Sequence, residues 1–268
     1  MKPFMKWAGG KRQLLDELVQ RLPEHYNRYY EPFLGCGALL LHLHPKQAVA
    51  GDINKQLINI WLQIRDNVKT VIQELRWLEQ IPATKERYLK VRNDFNLLKE
   101  RQSVSLAAAL LWLNAHCFNG LYRVNKNTGN FNVPWNQRQN VCTPDIDNLC
   151  EMSEYLKTVD ITVRPYQETC NAAEEGDFVY LDPPYAPLTK TSFTAYSQDE
   201  FGEREQEKLA AFFRILTERK VFVMLSNHDT PSVRKLYSSY NINTIQVRRN
   251  INSDGNNRKG VEVIVTNY

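Results

Sequence analysis

The sequence has no C-x-x-C pair, no internal repeat, no low-complexity tract and no long apolar run. Its longest uninterrupted apolar stretch, Leu106 to Leu113, falls far short of the ~20 residues that span a bilayer. Five cysteines (Cys36, Cys117, Cys142, Cys150 and Cys170) make an odd set with no C-x-x-C pair, which argues against a disulfide framework or a zinc site and for free thiols. Glycine and proline are sparse, at 11 and 12 of 268 residues, so collagen-like and Pro/Gly-rich disordered classes are excluded. The N-terminal Met1-Lys2-Pro3-Phe4-Met5-Lys6-Trp7 carries charges where a signal peptide needs an apolar core, so a cytoplasmic, membrane-free protein is expected. Neither sign of charge dominates: 34 Lys and Arg face 30 Asp and Glu, a net +4 that permits a polyanionic partner without demanding one. What is there is a globular composition, 43% hydrophobic and 24% charged, and a length suited to one large domain or two unequal ones.

Along the chain, Lys11 to Leu22 reads as an amphipathic helix, with Leu14, Leu15, Leu18, Val19 and Leu22 on one face. Tyr29 to Phe33 reads as a strand entering the glycine turn Leu34-Gly35-Cys36-Gly37. A helix is expected over Ala38 to Leu43, and a second strand from Ala48 ending at Asp52. This β-turn-α-β order opens a doubly wound α/β sheet. From Asn54 to His116 the pattern turns helical. Asn119 to Asn140, with seven Asn, three basic residues and no acidic one, predicts an irregular loop or hairpin. Alternation returns with a buried strand at Phe178–Leu181, a helix from Glu203 to Leu216, a strand from Val221 to Leu225, and two strands at 244–248 and 261–265. The layout implied is a discontinuous catalytic domain, 1–54 with 152–268, interrupted by a helical insertion at 55–151.

Three segments carry chemistry. Asp182-Pro183-Pro184-Tyr185 directly follows the Phe178–Leu181 strand. Two prolines exclude helix and stiffen the corner, and Pro183 restricts Asp182 to extended geometry. The carboxylate is thereby held at the carboxyl edge of the sheet, where open α/β folds bind ligands. A planar aromatic amine is a poor nucleophile because its lone pair is delocalised. Two acceptors, the Asp182 side chain and the Pro183 carbonyl, can bind both of its N–H groups and favour the pyramidal nitrogen of the transition state, with Tyr185 stacking on the ring. A plain turn after a strand is the alternative. Phe33-Leu34-Gly35-Cys36-Gly37, with Asp52 seventeen residues after Gly35, suits a nucleoside: glycines allow close backbone approach, and an acid ending the next strand binds ribose hydroxyls. A lone G-x-G is equally a tight strand-to-helix turn; the flanking strand, helix and Asp52 favour the ligand. Finally, Phe4-Met5-Lys6-Trp7-Ala8-Gly9-Gly10-Lys11 offers backbone amides and Lys11 to a carboxylate, or is simply a helix entry.

Taken in order, these segments resemble the Dam family of DNA adenine methyltransferases. The resemblance also takes in Glu31-Pro32, Asp52-Ile53-Asn54, Asn119-Gly120-Leu121-Tyr122-Arg123, Phe131-Asn132-Val133-Pro134, Ala186-Pro187, Phe193-Thr194-Ala195-Tyr196, Ser226-Asn227-His228-Asp229-Thr230, and the late Arg248-Arg249 loop with Arg258-Lys259. It implies a Rossmann-like sheet, the cofactor S-adenosyl-L-methionine without a metal, and transfer to the exocyclic N6 of adenine in 5′-GATC-3′ of duplex DNA. It further implies a cofactor site lined by Trp7, Lys11, Phe33, Asp52 and Asp182 around the Gly35 and Gly37 turn, with adenine received by Asp182, Pro183 and Tyr185. The order of segments is that of the family's α group, in which the insertion recognises the target. By the same resemblance Arg123 reads guanine, Leu121 and Pro134 press on a thymine methyl, Lys6 touches DNA outside the four bases, and Phe118 inserts beside the vacated adenine where close relatives carry tyrosine.

The residue chemistry agrees. A base stacked in a duplex must rotate out to be modified, at a cost of a few kcal/mol. Arginine at 123 is suited to bidentate contact with guanine O6 and N7. Within the same acid-free segment Asn119 is a further DNA candidate, and Lys126, Arg138, Arg248, Arg249, Arg258 and Lys259 are candidates for phosphates. The expected mechanism is direct in-line transfer by a monomer, with no covalent enzyme intermediate. Methylation of RNA adenine or of a protein amide poses the same chemical problem, and a catalytically silent DNA-binding protein is the rival of another class; the insertion with Arg123 speaks against the former, intact Trp7, Lys11, Asp52 and Asp182 against the latter.

Overall fold

Four consecutive apolar residues with no polar alternation make a strand buried on both faces, and the computed structural model places Phe178–Leu181 in that position, every residue buried. The structure describes residues 1–138, 144–187, 201–248 and 259–268. In chain order its strands are β1 (Tyr29–Glu31), β2 (Ala48–Asp52), β3 (Val159–Val163), β4 (Phe178–Leu181), β5 (Phe222–His228), β6 (Asn241–Arg248) and β7 (Lys259–Thr266). They form one sheet in the order β3-β2-β1-β4-β5-β7-β6. Strands β2, β1, β4 and β5 run parallel in register, Tyr29 beside Ala48 and Phe178, and Phe178 beside Phe222. The β6–β7 hairpin is antiparallel and joins the sheet through β7 alongside β5. This is the doubly wound α/β architecture expected, and its strand order reverses between β1 and β4, the switch point at which such sheets bind ligands.

The helices are α1 (Leu15–Val19), α2 (Leu40–Leu43), α3 (Lys55–Glu79), α4 (Lys85–Leu98), α5 (Val104–His116), α6 (Ile146–Leu156), α7 (Tyr166–Thr169), α8 (Glu203–Glu218) and α9 (Pro231–Leu236). The N-terminal amphipathic segment is shorter than its periodicity predicts. A 3-10 turn covers Lys11–Gln13 and α1 ends at Val19, because Pro23 biases Leu22 away from helical geometry. Likewise β1 stops at Glu31, since Pro32 has no N–H to continue a ladder.

The described chain divides into two compact units. One comprises Met1–Gly10, Gly35–His44 and Gly51–Arg164; the other Lys11–Leu34, Pro45–Ala50 and Pro165–Tyr268. In the first, α3 packs along α5 and α6, and α4 along α5. The side chains of Asn54, Thr84 and Ser103 cap α3, α4 and α5 by accepting from backbone N–H groups of their first turns. The apolar run Leu106–Leu113 lies on α5 and is buried around its circumference, which is why it carries no polar face. Among the described residues no helix is long and apolar enough to cross a membrane. In the second unit the core is built on Tyr30, Val179, Leu181, Phe213, Val223, Leu225 and Val263.

Candidate active site and nucleic-acid interface

Strand β4 delivers Asp182 at its carboxyl end, and the two prolines turn the chain there. The corner is held by β5 and α8. Asn227 Oδ1 accepts from the Ala186 N–H at 2.9 Å, and Gln206 Nε2 donates to the Pro184 carbonyl at 2.9 Å. Asn227 Nδ2 in turn donates to Gln206 Oε1 at 3.0 Å, so two buried amides lock each other and the loop. Asp182 Oδ1 pairs with Lys11 Nζ at 2.8 Å and accepts from Ser226 Oγ at 2.9 Å. Burial pushes the Asp182 carboxyl up from its ordinary value, while Lys11 and the Ser226 hydroxyl oppose that rise. Lys11 Nζ also lies 4.5 Å from the Tyr185 ring centre, and the Tyr185 hydroxyl donates to Glu262 Oε2 at 3.0 Å. Burial, with Asp182 and Glu262 nearby, raises the Tyr185 phenol well above its usual range and keeps it a neutral donor. Thus Asp182, Pro183, Tyr185 and Lys11 come together as one polar, rigid corner. Phe33, following β1 across the switch point, stacks on Tyr166 with ring centres 5.4 Å apart.

The first unit assembles the glycine turn. Gly35 and Gly37 adopt left-handed φ of 49° and 60°, which L side chains rarely take. A Cβ on Gly35 would sit 3.2 Å from Trp7 Cδ1. The Gly35 N–H donates to Asp52 Oδ2 at 3.1 Å and the Asn54 N–H to Asp52 Oδ1 at 2.9 Å, while Trp61 Nε1 ties the Gly35 carbonyl at 3.0 Å. Burial raises the Asp52 carboxyl and these backbone N–H groups lower it. Trp7 stacks on Tyr122, ring centres 4.9 Å apart at 29°. Of the cofactor candidates, Trp7, Gly35, Gly37 and Asp52 therefore share one cluster.

The segment after α5 is a loose hairpin, with isolated bridges Cys117–Trp135 and Val124–Phe131 around a turn at Asn125–Asn130. Phe118, Asn119, Arg123, Lys126, Pro134 and Arg138 are exposed on it, and Leu121 is half-buried. Asn119 takes a left-handed φ of 56°, and the Phe118 N–H donates to the Pro134 carbonyl at 2.8 Å. Asn132 Oδ1 accepts from Arg123 Nε at 2.8 Å, which orients the guanidinium. Lys6 joins this group: buried Asn114 bonds the Lys6 N–H at 3.1 Å, the Lys6 carbonyl at 3.0 Å and the Gly120 carbonyl at 2.9 Å. Arg248 ends β6 and Lys259 begins β7; Arg249 and Arg258, and the Phe193–Tyr196 segment, lie outside the described residues.

Sequence reasoning left Ser226, Glu262, Asn114 and Tyr122 without roles. Ser226 and Tyr122 stand inside segments quoted for the resemblance, so a signal existed. Glu262 gives none, since an acid in an alternating strand reads as solvent-facing.

The profile of the family described as D12 class N6 adenine-specific DNA methyltransferase matches residues 7–251. The chain is 40% identical to the type II methyltransferase M1.LlaDCHI of Lactococcus lactis subsp. cremoris, over 100% of this chain and 96% of that one. It is 38% identical to the type II methyltransferase M.MjaIII of Methanocaldococcus jannaschii, over 100% and 99%. It is 34% identical to the DNA adenine methylase of Escherichia coli strain K12, over 100% and 95%. With the family's profile matching most of the sequence and likeness to its relatives running the whole length of the chain, this protein belongs to the D12 class of N6 adenine-specific DNA methyltransferases.

Proposed function

We propose that the enzyme methylates the N6 of adenine within 5′-GATC-3′ of duplex DNA, acting on an everted base by direct in-line transfer. The observation that carries this reading is the Asp182 corner. Its carboxylate is anchored through Oδ1 by Lys11 and Ser226, and its loop is locked by Asn227 and Gln206. The amine hydrogens are assigned to Asp182 Oδ2 and the Pro183 carbonyl, and the adenine ring to the face of Tyr185. Such acceptors, fixed before the base arrives, stabilise the charge that develops on nitrogen without reorganisation.

S-adenosyl-L-methionine, the donor this family implies, supplies an electrophilic sulfonium methyl when bound. The residues present fit a nucleoside of that kind. The left-handed Gly35 and Gly37 carry no Cβ on either side of Cys36, and Asp52, already held by two backbone N–H groups, presents a fixed carboxylate to ribose hydroxyls in this reading. Trp7, Lys11 and Phe33 complete its lining in this reading, and no metal is invoked.

Residues 55–151 are assigned to target recognition, and 1–54 with 152–268 to catalysis. Arg123 reads the guanine, Leu121 and Pro134 the thymine methyl, and Phe118 fills the space beside the everted adenine, keeping an aromatic face without a hydroxyl. Lys6 touches DNA outside the four bases, Asn119 is a further DNA contact, and Lys126, Arg138, Arg248, Arg249, Arg258 and Lys259 serve the phosphates. The enzyme acts as a monomer in the cytoplasm. Treating a plasmid with the enzyme and S-adenosylmethionine, then digesting with endonucleases that distinguish methylated from unmethylated GATC, tests the reading. Full protection at GATC is expected and Asp182→Ala should abolish it; methyl label confined to another sequence, or an active Asp182→Ala variant, overturns it.

A further inference from the structure

Two hydroxyls lie behind the catalytic carboxylate. Ser226, on β5, stands one step beyond the last paired residues of the β4–β5 ladder, Leu181 and Leu225, and so falls beside Asp182. Tyr180 lies two residues before Asp182 on β4 and therefore shares its face of the sheet. Both side chains are removed from solvent: Ser226 is 0% exposed and Tyr180 1%. Ser226 Oγ lies 2.9 Å from Asp182 Oδ1 and 3.0 Å from the Tyr180 hydroxyl.

The direction of this chain follows from hydrogen counting. An ionised carboxylate has no hydrogen to give, so Ser226 spends its only one on Asp182. The Ser226 oxygen is then left as an acceptor, and the Tyr180 phenol must donate to it. Tyr180 cannot reverse the chain by ionising, because burial together with the neighbouring Asp182 raises its phenol well above the usual range.

Resting on the reading of Asp182 as the acceptor of the adenine amine, we infer that Ser226 and Tyr180 are positioning residues: a one-way Tyr180–Ser226–Asp182 hydrogen-bond relay fixes the rotamer of the carboxylate and holds Oδ1 occupied, so that Oδ2 faces the substrate amine. Lys11 does not duplicate this. Its ammonium sits on a flexible four-carbon stem and binds as a point charge, whereas Ser226 is set by the strand register and gives a directed bond. The relay therefore acts on the chemical step and not on the affinity for DNA or donor.

Single-turnover methylation of a GATC duplex at saturating donor, with KM for DNA and donor measured alongside, tests the relay. Ser226→Ala should slow the chemical step roughly 10- to 100-fold, the worth of a hydrogen bond to a charged group, with both KM values unchanged. Ser226→Thr, which keeps the hydroxyl, should restore most of the rate. Tyr180→Phe should give a smaller loss, on the order of several-fold, since it removes only the second bond. An unchanged rate in Ser226→Ala, a loss that Thr does not recover, or a loss residing entirely in KM overturns the relay. If Ser226→Ala is too unstable to assay, Tyr180→Phe decides alone: a rate equal to the parent refutes the assignment. Asp182→Asn in the same assay separates the two levels, for an active Asp182→Asn enzyme removes the reading of Asp182 itself, while an inactive one beside a fully active Ser226→Ala removes only the relay.

Discussion

Replacing Gly120 by alanine isolates a contact on which both halves of the first unit's proposed chemistry depend. Gly120 has φ of +63°, so any L residue there costs roughly 1–2 kcal/mol in backbone strain. The new Cβ would lie 2.6 Å from Lys6 Cδ, 2.7 Å from Lys6 Cβ and 3.1 Å from Lys6 Cγ. Lys6 Cδ can swing aside, but Lys6 Cβ cannot leave without its backbone. That backbone is held on both sides by Asn114, whose amide also binds the Gly120 carbonyl. Forced overpacking of this kind adds about 1–3 kcal/mol, for a total of about 2–5 kcal/mol. In a chain of this size that is a fall in Tm of roughly 4–20 °C. Gly129 supplies the internal control. It too has φ of +63°, yet its nearest foreign atom, Lys99 Nζ, is 3.7 Å from a built Cβ. Gly129→Ala should therefore cost only the backbone part, roughly 1–2 kcal/mol. Thermal unfolding of the two variants in one buffer measures the difference. Because Trp7 follows Lys6 and stacks on Tyr122, donor affinity should fall in Gly120→Ala and hold in Gly129→Ala. Equal destabilisation by the two substitutions would refute the steric argument.

Two other outcomes follow from the same geometry. Arg123→Ala should relax discrimination at the guanine by ~1–3 kcal/mol, read as the ratio of kcat/KM for GATC and for duplexes altered at that base; unchanged site choice would place the reader elsewhere. The carboxylate form of Asp182 is the one that accepts hydrogen bonds, and burial raises its pKa, so the acid limb of the single-turnover rate should lie above the ordinary carboxylate range. Lys11 and Ser226 oppose that rise, and Glu262 adds to it, so Lys11→Met should carry the limb to still higher pH; a limb that moves down would contradict the ion pair as the stabiliser of the charged form.

Local chemistry made the strand-end residues legible, and distance hid what supports them. The run Phe178–Leu181 announced β4 because nothing polar interrupts it, and two prolines after Asp182 marked the corner. Asp52 could be placed because it ends β2 after a glycine turn, a relation confined to a short stretch of chain. Ser226 had no such locality. Its role arises from parallel register with a strand 44 residues earlier, and register between strands is set by tertiary packing that composition does not encode. The segment after α5 shows the same limit from the opposite side. Its asparagines and absent acids predicted irregular backbone, and irregular it is, yet α4 holds it closely. Tyr88 and Arg92 donate to the Val133 carbonyl, Asn96 bonds both the N–H and the carbonyl of Phe131, and Lys99 reaches the Thr128 carbonyl and Asn130. Residues 88, 92, 96 and 99 recur at helical spacing, which in sequence is indistinguishable from a solvated polar face. A loop that reads a base edge needs its side chains fixed before binding, or the ordering entropy is charged to the complex. The hydrogen bonds of α4 meet that requirement from outside the loop. If the hairpin reads DNA as proposed, recognition would depend on a helix whose own residues need touch no DNA, and a loop transplanted without that helix would keep Arg123 but lose the frame that aims it.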